Sequence, residues 1–346
     1  MLQCKGRNIP NPKYKVIQNH NDKKISDPDN KVIRNIDDEW IRSQRGRKNK
    51  VDPYRPYALN IEKERTSSGS IEEIITIFLT NKECPFSCLM CDLWKNTTDK
   101  KVPSGAISGQ IEWALSQLPA TRHIKLYNSG NFFDNQAIPI EDYKEITSLL
   151  QDFDTVIVES HPKLINDKVP QFRDMMGAEL QVAIGLETVH PEVLSKLNKR
   201  MELADFRKSV EFLNKNDIKS RAFILLRPPF ISEAEGIEWA RKSIDYAFEC
   251  GVECCVIIPT RSGNGALDIL QKEGYFSPPD IKSLEVALDY GIGLQSGRVF
   301  ADLWDIDLFS SCNKCVEERK IRLERTNLYQ QVQPSVFCPC SNYINH

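Results

Sequence analysis

Glu73-Ile74-Ile75-Thr76-Ile77-Phe78-Leu79-Thr80 reads as a buried β-strand, and three residues later comes Cys84-Pro85-Phe86-Ser87-Cys88-Leu89-Met90-Cys91. The strand is apolar and rich in β-branched residues, as a strand covered on both faces should be. The cysteines after it have the spacing C-x3-C-x2-C. Three thiolates so close on one loop can wrap one face of a cubane [4Fe–4S] cluster and leave the fourth iron without a protein ligand. That open iron can chelate the amino and carboxylate groups of a small molecule and pass it an electron. Zinc fits the motif less well, because a structural zinc takes four ligands, usually as two separated pairs.

Outward from this loop, strand-like runs alternate with amphipathic stretches. The runs are Glu73–Thr80, His123–Asn128, Thr155–Glu159, Glu179–Glu187, Lys219–Leu226 and Val252–Pro259, with helical patterns at Gly109–Leu118, Pro139–Leu150, Leu203–Asn214 and Glu233–Cys250. Such alternation predicts βαβ units around a parallel sheet. The expected fold is therefore α/β, a partial (β/α)6 barrel, with the cysteine loop at the carboxyl end of its first strand. Neither G-x-G-x-x-G after the first strand nor G-x-x-x-x-G-K-[ST] occurs, so nucleotide-phosphate loops of those kinds are excluded.

The cysteine spacing on the loop after the first barrel strand resembles the signature of the radical S-adenosylmethionine (SAM) superfamily. The resemblance spans about residues 70 to 265 and implies a TIM-barrel-like fold with Cys84, Cys88 and Cys91 holding a [4Fe–4S] cluster that cleaves SAM. Met90 stands where the family commonly has an aromatic residue along the adenine, and a thioether can still pack on an aromatic face. Asn128-Ser129-Gly130 follows the second predicted strand, where the family has a turn around the cosubstrate amino group. The fourth predicted strand ends in Gly185-Leu186-Glu187-Thr188, followed by Leu197-Asn198-Lys199-Arg200. That stretch is similar to the subgroup of the elongator catalytic subunit and the tRNA methylthiotransferases, and it implies that Glu187 faces the ribose hydroxyls. The sixth predicted strand, through Ile258, would contact adenine. Tyr127–Asp134 and Gly185–Arg200 also look like the archaeosine-forming radical lyases, which act on a modified 7-deazaguanine in tRNA, and their bacterial relatives. The implied partners are a tRNA substrate and a one-electron donor such as flavodoxin or ferredoxin. Only Cys4 precedes residue 84, which disfavours sulfur insertion of the methylthiotransferase type.

Strand ends are where α/β barrels place their chemistry. This makes Arg227 a candidate clamp for a carboxylate or phosphate and His161 a candidate substrate or proton-transfer residue, with Glu159 and Ser160 beside it. Arg261 is a candidate substrate reader. Cys254 and Cys255 lie within an apolar strand and read as small buried residues.

The flanks differ from the barrel. Residues 1–68 read as an irregular extension; between Arg42 and Arg55 it sets Arg42, Arg45, Arg47, Lys48, Lys50 and Arg55 against one acid, Asp52, with Trp40, Tyr54 and Tyr57 flanking them. This arm is either solvated surface or a phosphate-contacting strap. Residues 69–275 form the barrel and 276–346 a carboxyl-terminal extension. That extension has a helix-like stretch at Pro279–Tyr290, a strand-like Arg298–Trp304 and a densely charged Glu317–Arg325 read as a solvent-facing helix. Its pairs Cys312/Cys315 and Cys338/Cys340 suit zinc or an auxiliary iron–sulfur cluster.

The chain has 346 residues, a net charge of −2 and 11 cysteines. It carries no overall basic excess and no apolar signal segment, and its longest apolar run falls far short of a membrane span, so a cytoplasmic location is expected. There, clustered cysteines are metal ligands before they are disulfides. Three readings stay open: a radical SAM enzyme acting on a modified nucleoside in tRNA, one acting on a small metabolite or peptide, or a non-catalytic zinc-binding module for RNA or protein.

Overall fold

The computed structural model describes residues 36–339, so Cys4 and Cys340 lie outside it. In chain order its elements are α1 (Asp38–Ser43), β1 (Ala58–Arg65), β2 (Ile71–Phe78), α2 (Ala106–Gln117), β3 (His123–Tyr127), α3 (Tyr143–Leu149), β4 (Thr155–Ser160), α4 (Lys168–Asp174) and β5 (Glu179–Glu187). Then come α5 (Pro191–Lys196), α6 (Leu203–Lys215), β6 (Lys219–Leu226), α7 (Glu233–Glu249), β7 (Cys254–Pro259), α8 (Ala266–Lys272), α9 (Ile281–Gly293), β8 (Arg298–Ala301) and α10 (Val316–Tyr329).

The eight strands form one sheet in sequential order. β1 pairs antiparallel with β2, and every later pairing is parallel. The expected α/β barrel architecture is thus present. It runs one parallel strand further than expected, because β8 continues the sheet beyond β7, and residue 276 is therefore not a boundary of the barrel. Apolar side chains of the strands and of α2, α6, α7 and α9 make one continuous core. β5 is buried along nearly its whole length, as a central strand covered on both faces must be. Because β2–β8 run parallel, their carboxyl ends share one rim of the sheet.

The amino-terminal flank is not irregular throughout. β1 is a full strand, and its Glu62 and Glu64 point to one side, two residues apart. Lys125 of β3 bonds both carboxylates, at 2.5 and 2.6 Å, while Arg221 of β6 binds Glu64. Arg298 of β8 lies 3.7 Å from Glu64 and binds Glu253 at 2.7 Å. Burial alone would raise the Glu64 pKa, but Arg221 and Lys125 hold it well below the usual carboxylate range. The sheet encloses a bonded ionic network here, where an apolar plug would otherwise be expected.

The far edge of the sheet is closed by side chains. Asn327 of α10 accepts from Ala301 N at 2.9 Å and donates to Ala301 O at 2.8 Å, and Gln330 makes the same reciprocal pair with Val299 at 2.8 Å each way. The α10 region is not simply solvent-facing, since Arg319, Arg322 and Leu323 are buried. No helix among the described residues is long and apolar enough to cross a membrane.

Candidate active site

The cysteine loop leaves β2 at the rim and is tied down from several directions. Asn264, after β7, donates to Leu89 O at 2.7 Å and to Cys91 O at 3.4 Å. Leu89 N donates to Leu197 O at 2.9 Å, and Asn198 donates to Ser87 O at 2.9 Å. Phe86 stacks on His161, with ring centroids 4.0 Å apart and planes at 14°. Asn131 donates its side-chain amide to Cys84 Sγ at 3.1 Å. Gly130 packs so near that a Cβ there would lie 3.2 Å from Cys84 Cβ, which explains a residue without a side chain at that turn.

The cations of the arm serve this loop. Arg42 donates to Ser87 Oγ at 2.9 Å, Arg45 pairs with Glu83 at 2.6 Å and lies over the Trp94 ring, and Lys48 bridges Glu83 and Asp99. Asp38 of α1 binds Asn198 at 2.7 Å and also Arg200. Arg55 donates to Tyr54 O and lies over the Trp113 ring, so four of the six arm cations are engaged within the protein, which counts against the phosphate-contacting reading.

The three thiols are partly exposed. Burial pushes the Cys88 thiol up to about 12, with the nearby Lys199 cation opposing it, and burial likewise raises Cys84 and Cys91. Such thiols become ligands when a cation replaces their protons.

Around the rim, the backbone is strained where candidate residues sit. Ser129, Glu187 and Arg227 have φ of 52°, 65° and 52°, a conformation side chains enter at a cost and one found disproportionately at functional sites. Glu187 forms an ion pair with Lys199, and both are buried. Burial opposes the charge on Lys199, but Glu187 and the neighbouring cysteines more than offset it, and its pKa is raised. A Cβ at Gly185 would come within 2.1 Å of Glu187 Oε1 and 2.3 Å of Lys199 Nζ, so only glycine leaves room for this pair. The β5–β6 register shifts at the same point.

Asn128 is fully buried, and neither atom of its side-chain amide has a hydrogen-bond partner among the described residues. Its backbone N–H donates to Glu159 Oε1 at 2.8 Å, and that of Gly130 at 3.4 Å. Burial raises Glu159 to about 7 despite these bonds. Ser129 Oγ donates to the Tyr57 hydroxyl at 2.9 Å. Met90 and Ile258 both pack against a second apolar cluster that includes Leu89, Leu197 and Leu225.

His161 has both ring nitrogens engaged. Nε2–H donates to Lys199 O at 2.9 Å, and Nδ1 accepts from Lys163 N at 3.1 Å. Burial first, then Lys199, lowers its pKa to about 3, so it is a neutral prop between the cysteine loop and the Lys199 backbone. Arg227 binds Glu233 and donates to Pro278 O at 2.8 Å, both through Nη1. Arg261 pairs with Asp302 at 2.8 Å, after β8. Sequence reasoning assigned no role to Asn131, Asn264 or Lys199 and read Tyr57 only as an aromatic of the arm. Asn131 and Lys199 lie inside the stretches that carried the resemblance, so attention to their polarity was the available signal; Asn264 and Tyr57 are brought in only by the fold.

No family model matches the chain. It is 25% identical over 346 residues to an uncharacterised protein of Methanocaldococcus jannaschii, covering 91% of this chain and 94% of that one. It is 30% identical over 167 residues to archaeosine synthase subunit beta of Thermococcus kodakarensis, which covers 46% of this chain and 52% of that relative. The match therefore spans about half the length of the latter. Coproporphyrinogen III oxidase of Escherichia coli, a radical SAM enzyme, superposes with a TM-score of 0.43 at 16% identity, over 63% of this chain and 52% of that one. Over part of its length the chain is similar in sequence to the archaeosine synthase beta subunits, and its α/β barrel is the architecture expected from the radical SAM resemblance.

Proposed function

We propose that this protein is a radical SAM enzyme acting on a nucleoside substrate. The carrying observation is the rim itself: a three-cysteine loop held by buried amides, beside a fully buried Asn128 whose side chain has no partner and a Glu187–Lys199 pair that needs Gly185. An unpaired buried amide costs stability unless something bonds it, and a bound polar ligand would. The residues therefore fit the group that the motif implies.

Cys84, Cys88 and Cys91 would hold a [4Fe–4S] cluster, which when bound supplies one electron to break the SAM sulfonium bond, giving methionine and a 5′-deoxyadenosyl radical that takes a hydrogen atom from substrate. Asn131 donates to the Cys84 sulfur and stabilises its thiolate. Lys199 lends positive charge to the thiolates, and Glu187 is the acceptor suited to a ribose diol. Asn128 offers both a donor and an acceptor to the cosubstrate. Met90 and Ile258 supply an apolar surface for adenine. The second apolar cluster packs beneath the loop through Leu89 and Met90.

The nucleoside substrate rests on the relatives named archaeosine synthase subunit beta, with tRNA as the carrier; the arm cations do not add to it. A zinc module at both cysteine sites fits less well, because no trio at the rim has its ligand atoms within 4.8 Å of one another. The test is anaerobic reconstitution with iron and sulfide, then SAM and dithionite, with or without bulk tRNA. Release of 5′-deoxyadenosine that rises with tRNA is the expected result. Zinc without iron or sulfide at the first site would overturn the reading.

A further inference from the structure

We propose that Cys312, Cys315 and Cys338 bind a zinc ion, and that this ion rivets the carboxyl-terminal tail to the segment after β8. The inference is independent of the reading of the first cysteine loop.

The three sulfurs come from different places. Cys312 ends the segment after β8, Cys315 immediately precedes α10, and Cys338 lies in the tail beyond that helix. Their Sγ atoms nevertheless all lie within 4.8 Å of one another, and no other such group occurs among the described residues. Cys312 Sγ and Cys338 Sγ are 3.9 Å apart. Zinc–sulfur bonds of ~2.3 Å at the tetrahedral angle place two sulfurs about 3.8 Å apart. A disulfide needs a separation of about 2 Å, so Cys312 and Cys338, at 3.9 Å, are not joined to one another. Sulfurs on neighbouring irons of a cubane bind different metal atoms and must stand farther apart than sulfurs sharing one ion. The spacing thus selects a single ion over an auxiliary cluster. The sequence carries one more cysteine two residues beyond Cys338, at Cys340, outside the described residues.

A second feature belongs to the same site. Arg319, one turn into α10, donates Nε–H to Cys315 Sγ at 3.3 Å and pairs with the buried Glu285 of α9. A charged donor aimed at sulfur suits a thiolate, and a zinc ion held by three thiolates carries excess negative charge that such a donor offsets. Arg322 holds the tail backbone at Gln333 O and Pro334 O, 2.9 and 3.0 Å away. The ion would complete a cross-link whose ends are 26 residues apart. The segment so fastened includes Asp302 and Trp304, whose partner Arg261 follows β7 at the rim. The clamp therefore steadies one side of the barrel mouth.

The experiment uses the full chain carrying C84A, C88A and C91A, which removes iron at the first site. Elemental analysis should find one zinc per chain and no iron or sulfide. Replacement with cobalt(II) should give the visible ligand-field bands of a tetrahedral thiolate site. Adding C312S and C315S should lower zinc at least tenfold. Should that variant fail to fold, titrating the unmodified protein with an organomercurial thiol reagent beside a zinc-sensing dye should release the ion stoichiometrically. Iron with sulfide in the triple variant, or no metal in any arm, would overturn the proposal.

Discussion

The two cysteine regions solve opposite problems. At the rim, three cysteines within eight residues of one loop keep their sulfurs apart, because the loop is pinned by amides and rings from β3, β4 and β7. In the tail, cysteines 26 residues apart converge closely. Nearness in sequence does not set nearness of ligands; the surrounding contacts do. A loop that spreads its thiolates suits a multi-metal cluster with one face open, whereas convergence from separate segments suits a single ion that cross-links them. The first arrangement leaves chemistry exposed, and the second spends its metal on cohesion.

The sharpest way to break this contrast is to remove one ligand from each. Cys88→Ala should abolish 5′-deoxyadenosine formation, a loss of about 1,000-fold or more in SAM cleavage, with little change in melting temperature. Cys312→Ser should do the reverse. It should cost about 3 kcal/mol, roughly 4 °C by differential scanning calorimetry for a chain of this length, while the iron bound per folded chain stays at the wild-type value. A Cys88→Ala protein that still cleaves SAM at the normal rate would refute the division.

A smaller effect should follow at Asn131, which donates to Cys84. Hydrogen bonds to cluster sulfurs raise reduction potentials, so Asn131→Ala should move the midpoint of the reconstituted protein to more negative values, as read by redox titration. An unchanged midpoint would reduce Asn131 to a packing role. The smallest effect concerns pH. Glu159 has its folded pKa raised from 4.5 to about 7 by burial, so between these values the folded state holds more protons than the unfolded one. Its contribution to stability is present below pH 4.5 and is lost as pH rises through 7. Glu159→Gln should flatten that part of the melting-temperature profile relative to wild type, and identical profiles would show that the carboxyl does not titrate there.

Much of the barrel was legible because its strands and helices keep clean periods. Glu179–Glu187 and Lys219–Leu226 were read with the bounds they have in the structure. β1 was not, and the reason is physical. Ala58–Arg65 is rich in charge because its inward residues meet Lys125 and Arg221, and a strand facing an ionic interior does not announce itself by hydrophobicity. The charged Glu317–Arg325 misled for the same reason, since Arg319 and Arg322 point at Glu285, Asp289 and the tail. At the rim, Asn128, Gly130 and Glu187 were singled out by the resemblance, and the fold puts them at the carboxyl ends of β3 and β5. Arg227 and His161 show the limit of such a position: a strand end locates a residue on the rim but does not say that its side chain is available. Lys199 and Pro278 lie 38 and 51 residues from His161 and Arg227, so only the fold brings them in, whereas Glu233 is six residues from Arg227.

The amide ladder on β8 has a consequence for how copies of this protein behave together. An outer strand with open N–H and C=O groups invites another chain to add a strand to it. Here Asn327 and Gln330 occupy those groups at Ala301 and Val299 from within the same chain. Recruitment of a second molecule at this edge would first require α10 to lift away. Whatever seats α10 thus also guards solubility, and a chain with that helix unseated would offer its neighbours a ready template for aggregation.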